Sequence, residues 1–213
     1  MKRCRIGFAI GSEIYSTVTK RKAIPTVLVC IAAAVLATVV RGAQIRDIEI
    51  DRDSGRYSLH AETFLAATPA HIIDVLLDYD HFNQISSVYK EFGYLEPDED
   101  GTPIVHTRME GCVLFYCVSM RRVERLEVER PGLIRTIAIP DRSDFSYSVS
   151  EWTLEPASGG TLMVYDLVME PDFWVPPVIG PWYLKRTLAR GGTAAINRIE
   201  RLAIEREQTA NGG

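Results

Sequence analysis

Apolar and polar residues alternate over residues 45–51 and again over residues 56–66. In the first segment Ile48 and Ile50 alternate with acidic residues, which is the pattern of a strand with one buried face. Residues 52–55 between the segments read Arg-Asp-Ser-Gly, a composition typical of a tight turn. The pattern therefore predicts a β-hairpin.

A helix is predicted directly after the hairpin. Thr68 and Pro69 are typical of a helix start, because Thr is a good N-cap and Pro at the first helical position loses no hydrogen bond. Apolar residues then form one side of the helix through Tyr79. Residues 80–87 are predicted to be a short helical or looped segment.

Strand patterns follow one another from residue 88 to residue 170, separated by turn sequences at 97–101, 131–132, 140–141 and 157–160. Short connections of this kind join antiparallel neighbours. The last strand is apolar on both faces, which predicts a position deep in the sheet.

Two of these strands carry aromatic residues on a defined face. Phe145 and Tyr147 have one parity and Trp152 has the other, so a bulge is predicted near Ser150. In the last strand Tyr165 shares a face with three apolar residues.

Residues 180–207 show the apolar spacing of a long helix, with Gly191 and Gly192 at the centre of its apolar stripe. Glycine inside a helix costs about 1 kcal/mol relative to alanine. Two interpretations explain the pair: close packing against the sheet, or room above the sheet for a bound guest.

Residues 23–40 form an apolar run of 18 residues that follows three basic residues at 20–22. The length lies between a secretory signal and a full membrane span. Residues 1–43 are therefore predicted to be a signal peptide or an N-terminal membrane anchor, with a buried core helix as the third interpretation. Cleavage after Gly42 would place Val40 three residues before the cut, which is sterically acceptable.

The leader also determines the charge of the remainder. The whole chain has a net charge of −4, but residues 1–43 hold seven of the 24 Lys and Arg and one of the 28 Asp and Glu. The rest therefore carries 17 basic against 27 acidic residues, a net charge of −10. Arg121, Arg122, Arg125 and Arg130 alternate with Glu124, Glu127 and Glu129, which favours a solvated strand face over an anion site. Nucleic acid is excluded as an expected partner, because it requires clustered basic residues.

Two cysteines remain after the leader, Cys112 and Cys117. An even pair in an exported chain is typical of a disulfide. On a straight strand their α-carbons would be about 16 Å apart, so a bridge requires the chain to bend between them. A disulfide and two buried thiols both remain open. The four histidines lack the spacing of metal ligands, and no metal or cofactor is expected.

The order of these elements resembles a helix-grip fold. The segment 66–82, which begins Ala-Ala-Thr-Pro-Ala-His-Ile-Ile-Asp-Val, resembles the opening motif of the START-like superfamily, in the branch of polyketide cyclases and coenzyme Q-binding START domains. The segment 170–182 resembles exported bacterial members of that branch. The resemblance covers residues 44–209, taken as one ligand-binding domain.

The resemblance implies an α+β fold in which a curved antiparallel sheet wraps around the C-terminal helix and encloses an apolar cavity. It also points to a hydrophobic ligand of the isoprenoid quinone or lipid class, and the predicted export places the protein in the periplasm or at the periplasmic face of the inner membrane. The sequence has no nucleophile elbow, HExxH motif, P-loop or Gly-rich dinucleotide turn, which favours binding without catalysis. Aromatic residues occur where such a cavity would be lined, although each of them also suits a simple core position. The predicted ligand-binding residues are Phe115, Tyr116, Tyr147, Trp152, Tyr165, Trp174, Trp182 and Arg108.

Residues 173–184 combine aromatic and aliphatic residues with three prolines, and basic residues follow directly. One interpretation is structural: the segment covers the open end of the sheet. The other is that Trp174 and Trp182 contact a membrane surface or form a portal for a lipid.

Two further functions are compatible with the sequence. One is a cyclase- or aromatase-like enzyme, for which His60, His106, Arg108 and Asp166 are the candidate polar residues, and it would require two of them to face inward. Asp166 is the most notable because its neighbours are apolar, and Arg108 or another arginine is its suggested partner. The other is an envelope interaction domain whose cavity is filled by side chains.

Overall fold

The computed structural model of the protein describes residues 43–113, 116–175 and 180–212, without the side chains of residues 44, 113, 116 and 180–190. The predicted leader lies outside the described residues except for Ala43, so it stays a prediction. No helix within the described ranges is long and apolar enough to cross a membrane.

Eight antiparallel strands form a single sheet in the order β1-β2-β8-β7-β6-β5-β4-β3. The strands are β1 (Gln44–Asp53), β2 (Arg56–Leu65), β3 (Tyr89–Leu95), β4 (Ile104–Val113), β5 (Tyr116–Glu129), β6 (Leu133–Ala138), β7 (Phe145–Ala157) and β8 (Gly160–Pro171). Strands β1 and β2 form the predicted hairpin, turning at Ser54 and Gly55. Strand β8 pairs with β2 and β7, which confirms its predicted position inside the sheet.

Two α-helices pack on one face of this sheet. Helix α1 (Pro69–Leu76) begins after Thr68, as predicted, and a 3-10 helix (Tyr79–Gln84) follows it. A second 3-10 turn (Pro140–Arg142) precedes β7. Helix α2 (Gly180–Asn211) is the predicted C-terminal helix and continues slightly past its expected end. The face that carries the helices is called the concave face below, and the other the convex face.

The main core lies between the helices and the concave face. It joins Ile72, Ile73 and Val75 of α1 and Ile199 and Ala203 of α2 to inward-facing residues of the central strands. Those strand residues are Leu65, Val105, Leu126, Ile134, Leu154 and Met163. The apolar stripes predicted for the two helices therefore share one core.

Strand β7 departs from the prediction in the position of its bulge. The register shift lies between Phe145 and Tyr147, not near Ser150. Ser148 and Ser150 consequently share the concave face with Trp152, and both are buried. The prediction was wrong because it assumed that only apolar residues face the core.

The β4–β5 hairpin brings the two cysteines together. Cys112 and Cys117 are directly opposite each other across the strands, with their α-carbons 3.9 Å apart, and they form a disulfide. The distance calculated for a straight strand does not apply, because the chain reverses direction between them.

Candidate ligand site on the concave face

A buried ion pair lies on the concave face of β5. Arg122 and Glu124 project from the same side of the strand, and Arg122 Nη2 lies 2.5 Å from Glu124 Oε1. Their side chains are 12% and 4% exposed. Burial alone would lower the pKa of the Arg122 guanidinium, but the adjacent carboxylate outweighs it and the pKa is raised. The Arg122 guanidinium is therefore charged at neutral pH.

Hydroxyl groups extend this ion pair across three strands. Thr136 Oγ1 donates to Glu124 Oε1 at 2.8 Å and lies 2.6 Å from Ser150 Oγ. Tyr165 on β8 lies beside Ser150 and Arg122, and both side chains act to lower the pKa of its phenol. Arg122, Glu124, Thr136 and Ser150 are connected by hydrogen bonds, and together with Tyr165 they are called the concave polar cluster below.

Aromatic rings border the cluster. Trp152 stacks on Tyr165 with ring centroids 4.7 Å apart. Burial raises the pKa of Tyr165, and burial together with the nearby Tyr165 raises the pKa of Tyr89 to about 12. Both phenols are thus protonated at neutral pH and available as hydrogen-bond donors.

Three buried polar atoms lack a partner in the described part of the chain. Arg122 Nε belongs to the cluster and Ser148 Oγ lies beside it, whereas the hydroxyl of Tyr57 belongs to a residue that borders a separate surface cleft. By register Ser148 lies beside Met169, two positions along β7 from Ser150. A buried donor or acceptor without a partner is costly, so these atoms indicate a place where a ligand or water is accommodated.

The glycine pair on α2 is not explained by close packing. A Cβ atom added at Gly191 or Gly192 would meet no heavy atom of the described residues within 4 Å. The described strands therefore do not pack closely against these positions, and Gly191 is exposed.

The structure brings together only part of the predicted ligand-binding set. Trp152 and Tyr165 lie at the cluster, as the sequence pattern indicated. Tyr147 lies on the convex face, 41% exposed, with the guanidinium of Arg56 4.7 Å from its ring centroid. It departs from the expected position because the bulge precedes it. Arg108 is also on the convex face, where it pairs with Glu91 and Glu110.

Trp174 lies outside this cluster. It is 70% exposed and borders a surface cleft together with Arg52, Tyr57 and Phe173. The predictions for Phe115 and for the side chains of Tyr116 and Trp182 lie outside what the structure describes.

The polar residues considered for catalysis also lie away from the cluster. Asp166 is exposed on the convex face, where its Oδ1 lies 2.6 Å from His60 Nδ1. Thr107 faces the concave side, so the adjacent His106 projects from the convex face. Its Nδ1 lies 3.1 Å from the carbonyl oxygen of Gly93. The suggested pairing of Asp166 with Arg108 is wrong, because the two side chains have other partners on separate strands.

Arg122 and Glu124 are the site residues that the sequence interpretation missed. The charge pattern of the sequence favours a solvated strand face for both residues, whereas Glu124 is only 3% exposed. The available signal was parity, since both residues are an even number of positions from the buried Leu126. No group of metal-ligating residues occurs within the ranges that the structure covers.

Comparison with known proteins places the fold. No family model and no curated protein matches the chain. Among solved structures, the Zhui aromatase/cyclase from Streptomyces sp. R1128 is 16% identical, with a TM-score of 0.56, covering 73% of this chain and 98% of that one. A STAR-related lipid transfer protein from Xanthomonas axonopodis is 16% identical, with a TM-score of 0.55, covering 76% and 99%.

A START superfamily protein from Mycobacterium smegmatis is 21% identical, with a TM-score of 0.51, covering 69% of this chain and 98% of the other. All three are similar over nearly their whole length. These likenesses, together with the curved antiparallel sheet and the long C-terminal helix, show that the chain has the helix-grip fold of the START-like superfamily.

Proposed function

We propose that this protein binds a hydrophobic small molecule on the concave face of its sheet and does not transform it. The observation that carries the proposal is the concave polar cluster, in which a buried ion pair and the unpartnered Arg122 Nε lie on the same face of the sheet as the apolar core. Apolar sites with a few convergent polar groups are the usual form of a small-molecule site. Similarity in fold to a lipid transfer protein supports the same ligand class.

The chemistry of the cluster favours a neutral head group. The charges of Arg122 and Glu124 cancel, so the site has little net attraction for a fully anionic group such as a phosphate. The Arg122 guanidinium and the Tyr165 phenol are hydrogen-bond donors, which suit a carbonyl oxygen. A quinone or an ester-linked lipid combines such a carbonyl with a long apolar chain. We therefore favour the isoprenoid quinone or lipid class.

The experiment compares two tyrosines on opposite faces of the sheet. The chain is expressed in full, and binding of a short-chain quinone and of a fluorescent fatty acyl ester is measured by fluorescence. Tyr165→Phe removes a donor from the cluster and is expected to weaken binding by about 3- to 10-fold, which corresponds to one hydrogen bond. Tyr147→Phe is the matched control on the convex face and is expected to bind as wild type.

Two results would count against the proposal. One is protein that takes up neither probe and yields no lipid on extraction. The other is equal weakening by Tyr165→Phe and Tyr147→Phe. Either result would favour the interaction domain whose interior is filled by its own side chains.

The cell envelope is the proposed setting, in the periplasm or at the periplasmic face of the inner membrane. It is supported by the apolar leader-like run and by the disulfide, since disulfides persist in oxidising compartments. Trp174 is the proposed point of membrane contact, because an exposed tryptophan suits the interface of a bilayer. Trp174→Ala is expected to reduce sedimentation of the protein with phospholipid vesicles, whereas Val88→Ala, also at an exposed apolar residue, is expected to leave it unchanged.

A cyclase- or aromatase-like enzyme is the second candidate. The observation that favours it is the position of Arg122 beside Tyr165, because two neighbouring donors would polarise a substrate carbonyl. Incubation with an aromatic polyketide precursor distinguishes the two functions. Recovery of unchanged precursor from the bound state favours binding alone, and a cyclised product that is lost in Tyr165→Phe favours the enzyme.

A further inference from the structure

Glu200 of α2 is a buried carboxylate held by main-chain donors. It is 7% exposed, and its Oε1 accepts a hydrogen bond from the amide nitrogen of Ala66 at 2.7 Å. Its Oε2 accepts one from the nitrogen of Ala43 at 2.8 Å. The helix thereby joins the end of β2 to the residue that precedes β1.

No basic side chain in the described part of the chain forms an ion pair with Glu200. The neighbouring arginines on the helix have other partners: Arg198 donates to the carbonyl oxygen of Ile85, and Arg201 pairs with Glu205. A buried carboxylate without a nearby positive charge is expensive. A positive charge at the Ala43 nitrogen would supply the missing partner, because that nitrogen is already 2.8 Å from Glu200 Oε2.

Ala43 follows Gly42, the residue after which the leader is predicted to be cut. Val40 and Gly42 are acceptable at the third and first positions before such a cut. Hydrolysis adds water across the Gly42–Ala43 peptide bond, so Gly42 leaves as a carboxylate and Ala43 acquires an amine. Near neutral pH that α-amine is largely protonated, since its ordinary pKa is about 8.

We propose that an export peptidase cuts the chain between Gly42 and Ala43, and that the new α-ammonium group of Ala43 forms a buried ion pair with Glu200. The cut converts a neutral N–H donor into a cation without moving the nitrogen from its carboxylate. Charge-assisted hydrogen bonds are about twice as strong as neutral ones. Ala43 is half-buried against the core, which keeps its nitrogen beside the Glu200 carboxylate.

The first measurement locates the cut. The full chain is produced in a host that exports it, and the intact mass and N-terminal sequence of the recovered protein are determined. A mature chain that begins at Ala43 is expected. A chain that retains its leader, or one that begins at any other residue, overturns the proposal.

The second measurement tests the ion pair through the reactivity of the α-amine toward an acylating reagent. In recovered wild-type protein the pH of half-maximal labelling is expected to lie about one unit above the ordinary α-amine value, a roughly tenfold lower reactive fraction near neutral pH. Glu200→Gln is expected to return the midpoint to the ordinary value. Glu205→Gln, on the exposed side of the same helix, is the matched control and is expected to behave as wild type.

A wild-type midpoint at the ordinary value overturns the ion pair. The wild-type measurement decides the question by itself if Glu200→Gln does not accumulate as folded protein. Neither measurement involves a ligand, so both are independent of the proposed binding function.

Discussion

Arg122 and Glu124 leave the same strand on the same face, and their charged groups meet 2.5 Å apart beneath the apolar core. Thr136 donates a hydrogen bond to the carboxylate and also contacts Ser150, so the pair is part of a network and not isolated. Each charge stabilises the other, so removal of either one would leave an unpaired charge in a buried position.

Replacement of one member of the pair is the first prediction. Arg122→Met leaves the Glu124 carboxylate buried without its cation and is expected to lower the free energy of unfolding by about 3 kcal/mol. Arg121→Met is the control, because the neighbouring Arg121 side chain is exposed. It is expected to change the free energy of unfolding by no more than about 0.5 kcal/mol. Urea denaturation measures both. Equal effects of the two substitutions would contradict the buried position of Arg122.

The second prediction concerns Gly160 at the start of β8. A Cβ atom at this position would lie 2.1 Å from the carbonyl oxygen of Leu65, which is main chain and has little freedom to move. Gly160→Ala is therefore expected to destabilise the protein by about 2 kcal/mol. Gly111→Ala is the matched control, since a Cβ there meets no atom within 4 Å. Thermal unfolding of the two variants should separate them clearly, and similar melting temperatures would count against this packing.

A third prediction follows from His60. Its hydrogen bond to the Asp166 carboxylate raises the pKa of the imidazole above the ordinary 6.5. Because the folded pKa is the higher one, the stabilisation is fully present below the unfolded pKa and is lost as the pH rises through the folded pKa. The urea midpoint is therefore expected to fall as the pH is raised from below 6.5. Comparison with variants separates the contribution of His60 from that of other titrating groups.

The variants isolate this contribution. His60→Gln and Asp166→Asn are each expected to flatten that part of the stability profile, whereas His71→Gln is expected to preserve it. A profile that Asp166→Asn leaves unchanged would show that the 2.6 Å contact does not govern the titration.

The disulfide gives the fourth prediction. A bridge that closes so short a loop is expected to contribute about 2 kcal/mol to the free energy of unfolding. Substitution of both Cys112 and Cys117 by serine should remove this contribution. A reductant should destabilise the wild type by the same amount and leave the double variant unaffected, and a wild type indifferent to reductant would contradict the prediction.

Local sequence signals were sufficient for most of the fold. The turn at residues 52–55, the Thr68–Pro69 helix start and the two-sided apolar pattern of β8 each depend on neighbouring residues alone, and the structure has all three. The hairpin at the cysteines is the exception among local features. Its turn carries no Gly, Pro or Asn, so the segment resembled a continuous strand.

The site was harder to predict because polar residues occupy its inward positions. Ser148, Ser150 and Glu124 all face the core side, and hydrophobic alternation assigns such residues to solvent. Their burial depends on partners from other strands, which no window of the sequence contains. The position of the bulge was misjudged for the same reason.

The end of α2 nearest the C-terminus is fastened to the rest of the fold. Arg206 Nη1 donates a hydrogen bond to the carbonyl oxygen of Asp74 at 2.6 Å, and Arg198 donates one to the carbonyl oxygen of Ile85. Glu200 accepts hydrogen bonds from two backbone amides. Lifting this end would break all of these bonds together. A guest molecule on the concave face therefore has to be admitted without displacement of residues 198–206.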